Sequence, residues 1–120
     1  MANKCRFALA LAALVATASC GGYSSPTTPT TVTGTAVSIP MGASALGSAA
    51  YVPNPVTISV GGTVTWTNND SMNHTATSDT GVFTGSMAPG AKYSYTFPSR
   101  GTFAYHCTLH PGMVGTVVVQ

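Results

Sequence analysis

From Ala36 onward the apolar residues of this chain recur at every second position. Val37 and Ile39 begin the pattern, and Val56, Ile58 and Val60 continue it. Val64 and Trp66 alternate with Thr63, Thr65 and Thr67, and Tyr93, Tyr95 and Phe97 alternate with Ser94 and Thr96. Phe103 and Tyr105 follow, and Val114 to Val119 closes the chain as a β-branched run. A period of two puts successive side chains on opposite faces of a strand, so each segment predicts a half-buried β-strand. Gly61-Gly62, Pro89-Gly90 and Pro111-Gly112 supply turn chemistry between them, and no stretch of this region has a helical period. The pattern predicts an all-β fold, an antiparallel β-sandwich of about 7–8 short strands. Trp66, Phe97 and Phe103 are the expected large core residues. Met41 to Ala50 is rich in small residues and reads as irregular structure or a weak edge strand.

The first 35 residues have another character. Lys4 and Arg6 followed by the apolar run Phe7 to Ala16 form the basic and hydrophobic regions of an export signal, expected over residues 1–19. Ala16-Thr17-Ala18 fits an ordinary secretion cleavage site, whereas Ala18-Ser19-Cys20-Gly21 resembles a bacterial lipobox, with Thr17 where Leu or Val is usual. The Ser/Thr/Pro/Gly stretch after Cys20 favours the second reading: a lipid anchor at Cys20, a disordered tether over residues 20–35, and one folded domain over residues 36–120. The protein is then exported, either periplasmic or membrane-anchored and facing outward.

Export changes the charge picture. Of the 4 Lys and Arg residues, Lys4 and Arg6 leave with the signal, and Lys92 and Arg100 balance Asp70 and Asp79. A neutral mature chain has no electrostatic footprint for nucleic acid. With no glutamate, it also lacks the carboxylate pairs of acid–base hydrolysis.

The candidate chemistry is concentrated in Cys107-Thr108-Leu109-His110-Pro111-Gly112-Met113, a short loop between two predicted strands. It carries a thiolate, an imidazole and a thioether at three-residue spacing, and His74 upstream offers a second imidazole. This donor set is that of an electron-transfer copper site. Structural zinc prefers paired Cys-x-x-Cys halves, which are absent from the chain, and a thioether is a poor zinc ligand. A cysteine nucleophile at Cys107 would need an orienting third group that the sequence does not offer. His106 adjoins Cys107 on a strand, so alternation directs it to the opposite face.

At these residues the chain resembles the cupredoxins, on their plastocyanin and amicyanin side. The resemblance rests on Val64-Thr65-Trp66-Thr67-Asn68-Asn69 leading to His74, on Pro89 to Phe97, and on Gly101 to Cys107 with the short Cys-x-x-His-x-x-Met loop. It implies a Greek-key sandwich holding one type 1 copper ion through His74, Cys107, His110 and an axial Met113. It also implies a monomeric one-electron carrier, not an enzyme, with redox-protein donor and acceptor docking near His110. Leu109, Pro111, Gly112 and Met72 would form an apolar collar there. Copper storage or delivery, and a metal-free structural sandwich, are the other functions the sequence leaves open. The family commonly has Asn after the first histidine, where this chain has Thr75. The link between the two ligand segments is therefore expected to run through the hydroxyls of Thr75 and Thr108.

Overall fold

The computed structural model describes residues 34–120. The expected signal segment, Cys20 and most of the tether lie outside the described residues. Among the described residues eight strands form two sheets: β1 (Gly34–Ile39), β2 (Val56–Ile58), β3 (Thr63–Asn68), β4 (His74–Ser78), β5 (Thr84–Met87), β6 (Lys92–Thr96), β7 (Gly101–His106) and β8 (Val114–Val119). The first sheet has the order β1-β3-β6, and the second has β2-β8-β7-β4-β5.

Most ladders are antiparallel, as the short turns require. Two are parallel: β1 with β3, and β2 with β8. Parallel neighbours need a long crossover connection. Both pairs have one, because the chain leaves β1 for the opposite sheet before returning as β3, and β2 meets β8 only at the end of the chain. The sheets are mixed for this reason, and the expected sandwich stands.

The alternation is visible in the burial. Along β3, Val64 and Trp66 are fully buried while the threonines between them are partly exposed, and Val117 and Val119 point inward from β8. Trp66 sits at the centre of the core, stacked on Phe83 at 5.4 Å and on Tyr93 at 5.7 Å, with Tyr105 edge-on. Phe97 is fully buried as expected, but Phe103 is only partly so. Tyr51 and Tyr105 take the deeper places. Met41 to Ala50 forms two 3₁₀ turns, Ala43–Ala45 and Gly47–Ala49, which carry the chain to Tyr51.

Two glycines are required by geometry. Gly61 has φ 85°, as the turn between β2 and β3 demands. Gly115 lies opposite Tyr105 across the β7–β8 ladder, where a Cβ would fall within 2.9 Å of three atoms of the Tyr105 side chain. The missing side chain makes room for a fully buried aromatic two residues before Cys107.

β4 and β5 are strands that the hydrophobic pattern does not reveal. His74-Thr75-Ala76-Thr77-Ser78 is polar, yet four of its five residues are buried. The strand runs between β5 and β7, and the ligand loop lies over its start.

Candidate metal centre

The centre is built where the β4–β7 ladder stops. These strands pair only at Thr77↔His106 and Ser78↔Tyr105. One step further, backbone pairing gives way to side chains. The Thr75 N–H donates to Cys107 Sγ at 3.3 Å, and the Thr108 N–H donates to Thr75 Oγ1 at 2.9 Å. The gap left between the strands holds the Cys107 sulfur. The expected link through Thr75 and Thr108 is thus present, with the hydroxyls of the two residues 3.3 Å apart.

The loop is clamped at its base. β7 and β8 pair through His106↔Val114, and the Cys107 N–H extends that ladder by donating to the Met113 carbonyl at 3.1 Å. The Met113 N–H donates to His110 C=O at 2.9 Å, closing the turn at Pro111-Gly112. Residues directly opposite across an antiparallel pair present their side chains on one face. Cys107 and Met113 therefore share the inner face, and both are fully buried. His106 points away from them, and its Nδ1 meets Asp79 at the surface at 2.6 Å.

His74 enters from the start of β4 and is fully buried; His110 comes from the loop and is partly exposed. Their Nδ1 atoms lie 3.9 Å and 3.7 Å from Cys107 Sγ, and the three donor atoms fall within 4.8 Å of one another. The imidazole rings are 5.0 Å apart, tilted by 54°. No other side chain of the described residues joins this His/Cys cluster.

The surroundings fit a soft metal ion. The sulfur accepts a backbone N–H, a contact that holds it in the gap between β4 and the loop. Tyr51, just after the two 3₁₀ turns, donates its hydroxyl to the Thr75 carbonyl at 2.6 Å and so holds the residue whose N–H reaches the sulfur. Burial pushes the Tyr51 phenol up, with the neighbouring Cys107 and Tyr105 adding to the effect, so it remains a donor. Cys107 is a free cysteine.

One residue of the centre escaped the sequence reading. Asp70, itself buried, places Oδ2 2.8 Å from His74 Nε2 on the side of the ring away from the sulfur. The His74 hydrogen bond, helped by the Gly42 N–H, lowers its pKa to about 2. The signal was present as Asp-x-x-x-His, but nothing in the sequence says that a turn rather than a helix brings the two together.

Comparison with known proteins places this geometry. The model of the copper binding proteins, plastocyanin/azurin family, matches residues 40–120. The chain belongs to that family: it is a copper protein of cupredoxin fold, and not an enzyme. It is 42% identical over 69 residues to amicyanin from Paracoccus denitrificans, covering 52% of this chain and 53% of that protein. Plastocyanin from Scenedesmus fuscus is 36% identical over 98 residues, covering 70% of this chain and 99% of its own. Among solved structures, a purple cupredoxin from Nitrosopumilus maritimus superposes with TM-score 0.66 and 34% identity, over 72% of this chain and 99% of that one. A reduced Cu(I) form of an amicyanin variant gives TM-score 0.61 at 35% identity, over 72% of this chain and 82% of that one. The chain thus spans about half the length of the Paracoccus amicyanin and nearly all of the Scenedesmus plastocyanin.

Proposed function

We propose that the protein is an exported one-electron carrier whose single copper ion would be held by His74, Cys107, His110 and the thioether of Met113. The convergence of two imidazole nitrogens and one thiolate within 4.8 Å carries this reading. Copper supplies a one-electron couple, Cu(II)/Cu(I), in such a donor set. The chain's own contribution is rigidity. Cys107 and Met113 are fixed by the extended β7–β8 ladder, and His74 by Asp70 and the sheet. The loop is tied to β4 through Thr75. Ligands held this way need little rearrangement when the oxidation state changes.

His110 is the partly exposed ligand, so its outer edge is the short route for an electron between the site and a redox partner. Leu109 is 56% exposed and Met72 46%, and Pro111 and Gly112 are exposed beside His110 in sequence. These residues suit docking through an apolar collar, and the balanced charge of the mature chain suits encounter without long-range steering. Export rests on the N-terminal signal pattern, and anchoring on Cys20 with its tether. Among the described residues no helix is long and apolar enough to cross a membrane.

The visible and electron-paramagnetic spectra of the copper-loaded protein test the assignment. An intense thiolate-to-copper charge-transfer band is expected, and it vanishes in Cys107→Ser. A Cys107→Ser variant that keeps the band refutes the ligand set.

A further inference from the structure

The carboxylate behind His74 is unusually constrained. Asp70 Oδ1 accepts the Gly42 N–H at 3.1 Å and the Ser71 N–H at 2.7 Å, while Oδ2 faces His74 Nε2 at 2.8 Å. The Asp70 N–H donates to Asn68 Oδ1 at 2.9 Å. Asn68, fully buried, spends its amide hydrogens on the carbonyls of Met72 at 2.7 Å and Met87 at 2.9 Å. The partners on Oδ1 are both donors, and an ionised carboxylate can only accept. The nitrogen facing Oδ2 must then carry the ring hydrogen. This leaves His74 Nδ1 with its lone pair free, and Nδ1 is the atom 3.9 Å from Cys107 Sγ. Among the described residues His110 has no carboxylate partner of this kind; its side-chain contact is Nδ1 to Cys107 Sγ at 3.7 Å.

We propose that Asp70 is a positioning residue for the copper centre: it fixes the tautomer and orientation of His74, strengthens donation from Nδ1, and so favours the oxidised ion. The proposal rests on the copper reading above. Its physical basis is that a carboxylate accepting the distal N–H of a ligating histidine raises the basicity of the ligating nitrogen. The effect is larger for the more highly charged ion, because Cu(II) gains more than Cu(I) from a stronger donor and from a nearby negative charge. Asp70 also ties Gly42 of the β1–β2 connection to the His74 ring, so the positioning extends to the segment that carries Tyr51.

Two measurements test it. The first uses the metal-free wild-type protein and nitrogen–proton correlation spectra of its histidine rings. His74 is expected as the Nε2–H tautomer with a slowly exchanging proton, and a His74 found as the Nδ1–H tautomer overturns the proposal whatever the protein does with copper. The second compares copper-loaded wild type with Asp70→Asn, whose amide cannot accept from all three donors. Cu(II) affinity is expected to fall about 10–100-fold. Cu(I) affinity should fall less, so the reduction potential rises, by about 59 mV for each tenfold change in the affinity ratio of a one-electron couple. An unchanged or lowered potential overturns the proposal. If the wild-type protein takes up no copper, the functional reading fails instead, and the tautomer still decides the role of Asp70 as a positioning group.

Discussion

Thr75→Val replaces a hydroxyl by a methyl of similar volume at the point where the β4–β7 ladder changes into the metal centre. The hydroxyl has three contacts. It accepts the Thr108 N–H at 2.9 Å and the Thr77 hydroxyl at 3.1 Å, and it lies 3.3 Å from Thr108 Oγ1. They are unequal. The Thr77 hydroxyl keeps a second partner in Thr84 Oγ1 at 3.0 Å, and Thr108 is exposed enough for its hydroxyl to turn to water. The uncompensated loss is the Thr108 N–H, tethered beside a residue only 6% exposed. One net hydrogen bond of this kind is worth about 1 kcal/mol. In a domain of about 60–100 residues that corresponds to a fall in Tm of about 4–8 °C.

Thermal unfolding of the metal-free protein measures the effect without interference from metal binding. Thr75→Ser keeps the hydroxyl and lacks only the methyl, so it should retain the Thr108 contact and melt above Thr75→Val. The backbone N–H of Thr75 survives both changes, so the charge-transfer band should remain in the copper-loaded forms. A Thr75→Val protein that melts with wild type, or a serine variant that falls further than the valine one, would show that the hydroxyl does not hold the loop.

Other predictions address the axial ligand, the core and the anchor. Met113→Gln exchanges a thioether for a harder oxygen donor that favours Cu(II), so voltammetry should give a lower potential with the visible band retained; an unchanged or raised value removes Met113 from the ligand set. Gly115→Ala drives a methyl into the buried Tyr105 ring, which leaves no room for a Cβ, and should cost about 1–3 kcal/mol in denaturant unfolding. A Gly115→Ala protein as stable as wild type would mean that Tyr105 can move. Cys20→Ala should release the protein from membranes or block its processing, and mass spectrometry showing an unmodified N-terminus at Ser19 would select ordinary secretion.

The period-two pattern alone was enough for β1, β2, β3, β6, β7 and β8, because each has one face in the core and one towards water. The ligand loop was equally legible, since Cys107, His110 and Met113 are close in sequence and a turn at Pro111-Gly112 joins them. β4 and β5 were not. β4 has four of its five residues buried and so loses its alternation, and Thr75, Thr77 and Ser78 satisfy their hydroxyls in ways no periodicity records. β5 is an edge strand of mostly exposed residues with only Met87 buried, so it has no apolar face to read. Tyr51 belongs to the same class: it sits in a small-residue segment, and only the crossover from β1 to β2 carries it over Thr75. The role of Asp70 was decided by the turn that folds it back on His74. Contacts set by spacing within one element can be read from the chain, whereas those set by where two connections cross exist only once the sheets have packed.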